Sequence, residues 1–284
     1  MPVIKGRKTD KEKFAGAEIT YTIEAMMHDG KALQSGTSHY FGDGFARAFE
    51  IQYTDKENKL QYPHQTSWGM STRIIGGIIM THGDDNGLVL PPAIAPVQVV
   101  IIPIAFHMGG VLEKAAELKD ALVKAGIRVS LDDSDQSPGW KFAEYEMKGV
   151  PLRIEIGPRD IENGQCVVVS RDNREKTVVE IAQLENTIPT MLEALTGRLY
   201  QKALQNRESR TYTAATLDEI IEIADNKSGF IKTMWCGDQA CEELLKEKAG
   251  ITSRCMPFEG EPVSDSCPVC GKKTNTLIYW GKAY

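Results

Sequence analysis

Thr66-Ser67-Trp68-Gly69-Met70-Ser71-Thr72-Arg73-Ile74-Ile75-Gly76 reads as a short strand, a turn of small residues and the opening of a helix. Gly69, Ser71 and Thr72 let the backbone come close to a ligand, and Arg73 at the junction is a flat cation able to stack on a purine or neutralise phosphate. Ile74 to Met80 is apolar and compact enough for a helix packed under a sheet. Taken alone, the stretch fits either half of a nucleotide-handling site or an ordinary strand-turn-helix with a surface arginine.

Beyond it, Pro91-Pro92 marks a boundary, because proline lacks a donor and fixes φ. Ala93 to Pro96 follows as a linker. Val97-Gln98-Val99-Val100-Ile101-Ile102-Pro103 is then a β-branched run, the pattern of a strand buried on both faces of a largely parallel sheet. Apolar positions from Val111 to Ala125 recur at helical spacing and stop at Gly126. Strands are expected at Ile127 to Leu131, Pro151 to Ile156 and Cys166 to Ser170, with a helix at Gly139 to Lys148. This alternation is an α/β layer arrangement. A long helix closes it, from Val178 or Leu184 to about Leu204, and Ser209-Arg210-Thr211 reads as surface. An amphipathic helix opens the last part at Leu217.

The final quarter holds Cys236, Cys241, Cys267 and Cys270, a C-x4-C pair and a C-x2-C pair with 25 residues between them. Four thiolates at this spacing suit a closed tetrahedral zinc site, structural rather than catalytic because no coordination position stays open. Spacing alone leaves Cys255 as a possible replacement for one of the four. Cys166, inside a strand, reads as a buried free thiol.

Lys13-Phe14-Ala15-Gly16-Ala17 and Gln34-Ser35-Gly36-Thr37-Ser38-His39-Tyr40-Phe41-Gly42 are two more glycine-bearing segments. His39 by itself reads as a hydrogen-bonded structural group. With the Thr66 to Arg73 run, whose strand-to-helix arginine resembles motif 3 of class II aminoacyl-tRNA synthetases, these segments resemble the zinc-containing prolyl-tRNA synthetases along essentially the whole chain. The resemblance implies three domains: 1–93, the motif 3 half of a class II antiparallel-sheet catalytic domain; 97–204, an α/β anticodon-binding domain; and 205–284, a small zinc-binding α/β domain. The whole is then a multidomain α+β and α/β chain. It further implies that His39, Trp68 and Gly69 enclose proline. Gln34, Thr37, Ser71 and Arg73 meet ATP, with Gln34 also near Mg2+ and Arg73 on the adenine. Cys236, Cys241, Cys267 and Cys270 would hold the zinc, which decides against Cys255. Glu146, Arg153, Arg159, Asp160 and Lys176 would read the two guanines of the proline anticodon, arginine bidentately and carboxylates from the amino edge. Members end in a tyrosine near the active site, as this chain ends in Tyr284.

Motifs 1 and 2 of that family are not found in these residues. The chain is therefore expected to be a C-terminal portion, unable alone to form prolyl-adenylate because the motif 2 arginine that holds the α-phosphate is missing. A non-catalytic tRNA-binding or regulatory protein built from synthetase parts is the competing expectation. The expected partners are tRNA-Pro, L-proline and ATP, with homodimerisation in the complete enzyme.

Composition is consistent with this. With 42% hydrophobic and 25% charged residues the chain is ordinary for a globular protein. A net charge of −6 argues against a broad, non-specific nucleic-acid binder. No apolar window reaches the ~18 residues of a membrane span, and a cytoplasmic location is expected, where cysteines serve metals more often than disulfides.

Overall fold

A computed structural model describes residues 1–284. They form two compact units, one made of 1–81 with 203–284 and one of 82–202. The structure is a mixed α/β fold, and no helix is long and apolar enough to cross a membrane.

The first unit is built on an eight-stranded sheet. Its N-terminal strands are β1 (Val3–Arg7), β2 (Ile19–Met26), β3 (Ala32–Gly42) and β6 (Gln65–Gly69). Between β3 and β6 lie the short helix α1 (Gly44–Ala48) and a two-stranded ribbon of β4 (Tyr53–Thr54) and β5 (Leu60–Gln61). Helix α2 (Arg73–His82) follows, beginning at the expected junction arginine. The C-terminal strands are β12 (Thr211–Thr213), β13 (Phe230–Met234), β14 (Thr252–Pro257) and β15 (Leu277–Gly281), with helices α7 (Leu217–Asn226) and α8 (Gln239–Ala249). The strand order is β12-β13-β15-β14-β1-β2-β3-β6. All neighbours are antiparallel except β12 and β13.

Segments 1–93 and 205–284, expected as separate domains, therefore share one sheet through the β1–β14 ladder, where Gly6 pairs with Pro257 and Arg7 with Met256. Glycine is required there, because a Cβ at Gly6 would collide with the Met256 carbonyl. Trp280 on β15 is fully buried and donates through Nε1 to Thr233 Oγ1 at 2.8 Å.

The second unit has a five-stranded sheet, ordered β11-β10-β9-β7-β8. Its strands are β7 (Val99–Pro103), β8 (Val129–Leu131), β9 (Leu152–Ile156), β10 (Gln165–Ser170) and β11 (Lys176–Glu180), and its helices α3 (Val111–Lys124), α4 (Pro138–Met147), α5 (Pro158–Glu162) and, as far as Lys202, α6 (Leu184–Ser209), whose remaining residues are counted with the first unit. All five residues of β7 are buried. They lie between β8 and β9, both parallel to β7. This is the both-faces burial that the β-branched run implies. The sheet departs from the expected parallel form at β10, which runs antiparallel to β9 and β11. The connection from Ile156 to Gln165 is shorter than the dozen or so residues that a parallel crossover needs. Val178 belongs to β11 rather than to the closing helix, and α6 begins at Leu184 after a 3-10 turn.

Candidate functional site

The register of β2, β3 and β6 selects one face. Thr20 pairs with His39, Thr22 with Thr37 and Glu24 with Gln34. Across the other ladder Thr37 pairs with Gly69 and His39 with Ser67. Paired residues share a face and neighbours alternate, so Gln34, Thr37, His39 and Gly69 lie on one side of the sheet. A β-bulge at Ser35 keeps Gln34 in step with Thr37.

These residues line a hollow of about 450 Å³ together with Phe14, Phe41, Ser71 and Arg73, a size suited to a small-molecule site. His39 is clamped on both ring nitrogens, 3.0 Å from Thr20 Oγ1 at Nδ1 and 3.0 Å from Thr37 Oγ1 at Nε2. Thr20 is buried, and its hydroxyl oxygen already accepts from the Phe14 amide at 3.2 Å. Donating its proton to Nδ1 satisfies that hydroxyl, which assigns the remaining ring proton to Nε2, facing Thr37. The Thr37 proton is then free for a ligand. Phe14 and Phe41 flank the imidazole with ring centroids at 5.1 and 5.9 Å. Arg73 has no carboxylate partner, and its amide is 3.3 Å from Ser71 Oγ.

Trp68 borders this hollow too. It pairs with Ser38 and is 80% exposed, on the face opposite His39. It also lines a second, apolar hollow of about 260 Å³ with Tyr21, Ile23, Met70 and Phe258. Phe14 and Phe41 supply the aromatic wall on the His39 side. Alternation along the Gln34 to Gly42 strand signals Phe41, whereas Phe14 arrives from a loop and has no such signal.

Further along β2, on the same face, lies a buried ion triad. Glu24, fully buried, stands 3.1 Å from Lys8 Nζ and accepts from Arg254 Nε and Nη2 at 3.0 and 2.7 Å and from Thr22 Oγ1 at 2.8 Å. The terminal Tyr284 is held at the β2–β3 turn, where its hydroxyl donates to Asp29 Oδ2 at 2.6 Å and its amide to the Ala32 carbonyl at 3.4 Å. The Asp29 bond pushes the phenol up to about 12. The largest hollow of this unit, about 690 Å³, holds none of the nominated residues; Lys5, Arg207 and Lys232 face Glu208 and Glu259 there, so no ligand charge is selected.

The four nominated cysteines converge. Cys236 follows β13, Cys241 sits in the first turn of α8, and Cys267 and Cys270 bracket a turn closed by the Gly271 amide donating to the Cys267 carbonyl at 2.9 Å. Their sulfurs all lie within 4.8 Å of one another, and Cys236 is 3.6 Å from both Cys241 and Cys270. A tetrahedron with Zn–S bonds of about 2.3 Å has edges of about 3.8 Å, so the donor set fits a metal ion of that size. Cys255 and Cys166 are fully buried, on β14 and β10, and lie outside the cluster. Burial pushes both thiols up to about 12.

In the second unit the nominated residues separate into two groups. Arg153 on β9 lies 3.5 Å from Glu146 and donates to Glu155 at 2.8 and 3.0 Å, while Lys176 stands 3.8 Å from the other Glu155 oxygen. Arg153 also packs 4.0 Å over the Phe142 ring. Glu155 is the linking residue that sequence reasoning missed, although its i+2 spacing from Arg153 places both on one strand face. Arg159 and Asp160 sit beyond the end of β9. Arg159 is exposed, and Asp160 accepts from the Gly157 amide at 2.8 Å, capping α5.

The family described as "Anticodon binding domain" matches residues 98–191, and "Prolyl-tRNA synthetase, C-terminal" matches residues 217–284. Proteins named proline–tRNA ligase from Ruminiclostridium cellulolyticum, Lachnoclostridium phytofermentans and Clostridium novyi are 64%, 62% and 63% identical over all 284 residues. The chain spans 59% of the length of each. Over its whole length, therefore, the chain belongs to the prolyl-tRNA synthetase family.

Proposed function

We propose that this chain supplies the proline- and ATP-facing part of a proline–tRNA ligase, together with its anticodon-reading and zinc-bearing parts. The observation that carries this reading is the gathering of Gln34, Thr37, His39, Ser71 and Arg73 around one hollow with a doubly clamped imidazole. Proline is compact and apolar apart from its amine and carboxylate. His39, Trp68, Gly69, Phe14 and Phe41 enclose the ring. Gln34, Thr37, Ser71 and Arg73 bind ATP, with Arg73 stacked on adenine and Gln34 beside a magnesium ion, which when bound offsets phosphate charge. Activation is attack of the proline carboxylate on the α-phosphate of ATP, forming prolyl-adenylate as the bond to the leaving pyrophosphate breaks, a reaction governed by positioning and charge stabilisation with no protein nucleophile. The Thr37 proton left free by His39 is available to a ligand oxygen.

Residues 1–93 act as the catalytic part, 97–204 as the tRNA-binding part and 205–284 as the zinc-binding part, in a cytoplasmic enzyme that is a homodimer when complete. Cys236, Cys241, Cys267 and Cys270 hold zinc as a structural crosslink. Glu146, Arg153, Arg159, Asp160 and Lys176 meet the anticodon guanines of tRNA-Pro.

The test is equilibrium binding of the chain to a tRNA-Pro transcript and to the same transcript with its anticodon guanines replaced by adenines. Replacement, or Arg153→Ala with the native transcript, is expected to cost about 1–3 kcal/mol. Equal affinity for both transcripts would refute the anticodon reading. A parallel titration with L-proline and ATP, followed at the His39 ring, tests the pocket.

A further inference from the structure

The loop 8–17 brings Phe14 to the pocket, and its other end is tied to the cysteine-bearing part of the chain. Thr9 is 1% exposed and Glu242 2% exposed. Thr9 Oγ1 donates to Glu242 Oε1 at 3.2 Å, and Ser253 Oγ donates to the same oxygen at 2.5 Å. Glu242 is on α8, immediately after Cys241. No other carboxylate in the chain gathers hydroxyls from both the N-terminal and C-terminal segments.

From Thr9 the ordering continues through the loop backbone. The Glu12 amide donates to Thr9 Oγ1 at 3.3 Å and the Lys13 amide to the Thr9 carbonyl at 2.9 Å. The next residue is Phe14, whose amide is held by Thr20 and whose ring lies 5.1 Å from His39. A second tie, Lys11 to Glu243 at 3.6 Å, involves a half-exposed carboxylate and contributes little. The buried clamp is the stronger of the two, since a buried hydroxyl left without a partner is costly whereas a solvated ion pair is replaced by water.

We propose that Glu242 is a positioning residue for the amino-acid pocket: by holding Thr9 it fixes the loop that presses Phe14 against His39. It touches no substrate. Its functional meaning rests on the reading of this hollow as the proline pocket, but the arrangement itself is tested without any ligand. The Glu242 Oε2 atom is buried with no hydrogen-bond partner, so Oε1 is the one carboxylate oxygen that holds both hydroxyls, which also lie 3.2 Å from each other. Glutamine keeps that acceptor and alanine removes it.

The experiment is nuclear magnetic resonance of the full chain carrying isotope-labelled histidine, with the His39 ring signals assigned through His39→Gln. Phe14→Ala gives the shift of His39 without the neighbouring ring current. Glu242→Ala is expected to move the His39 signals at least halfway to that value, Thr9→Val to move them in the same direction, and Glu242→Gln to leave them at their wild-type position. Should Glu242→Ala fail to fold, Thr9→Val decides the matter, since it leaves α8 untouched. The proposal is overturned if the folded alanine and valine variants keep the wild-type His39 signals, or if glutamine moves them as far as alanine. A chain that passes this test but ignores L-proline would sink the pocket's functional reading and leave the positioning role standing.

Discussion

Replacing Glu24 tests whether the sheet that carries the pocket is held by charge or by packing alone. Its carboxylate is fully buried between two cations, Lys8 at 3.1 Å and Arg254 at 2.7 Å, with Thr22 as a further donor. Glu24→Gln removes the only carboxylate recorded on either cation and leaves two positive groups facing each other out of water. Breaking a buried pair from one side costs about 3–5 kcal/mol, a large share of the roughly 5–15 kcal/mol that holds a domain folded. Arg254→Met leaves Lys8 and Glu24 as a neutral pair and removes charge-assisted hydrogen bonds, a smaller loss of about 1.5–3 kcal/mol. The double variant should cost less than the sum, because Arg254 is harmful only once Glu24 is gone. Urea titration at neutral pH, followed by the fluorescence of buried Trp280, measures all three. The reasoning fails if the two losses add to within about 0.5 kcal/mol, as independent sites do, or if Arg254→Met proves the more damaging change.

Two further outcomes follow from the same kind of accounting. In the second unit Asp84 receives a two-point bond from Arg171 at 2.7 and 2.8 Å, which holds its carboxyl well below the usual carboxylate range. A depressed folded-state pKa means that the pair's contribution is fully present above the unfolded value of about 3.9 and is lost as pH falls through the lower folded value. Asp84→Asn should therefore destabilise this unit by the same amount at pH values near 5 and 7, with the gap closing only in stronger acid; urea titrations that find the two proteins equally stable at pH 7 would refute the pairing. Cys241→Ser should reduce bound zinc, measured by elemental analysis of the chain purified with zinc, and lower the melting temperature of the first unit, whereas Cys255→Ser should leave zinc content unchanged. Equal zinc in the Cys241 variant would remove that cysteine from the ligand set.

The residues that were legible in the sequence are those whose chemistry is local. Four cysteines at fixed spacing, the β-branched run of β7 and the stop at Gly126 each announce themselves within a short window, and the structure places them accordingly. The triad of Lys8, Glu24 and Arg254 could not be read this way. Each is an ordinary surface-type residue until β1 pairs with β14, and Arg254 meets Glu24 across 230 positions. No periodicity encodes such a ladder. At shorter range, Trp68 pairs with Ser38, one residue out of step with His39, and still borders the hollow, which alternation alone does not tell. Phe14 and Glu242 combine both difficulties, one arriving on a loop and the other from the far end of the chain. The pocket's chemistry is concentrated in Gln34 to Arg73, but its geometry is fixed by residues beyond position 240. A variant in the cysteine-bearing segment can therefore alter the shape of a pocket that it does not line.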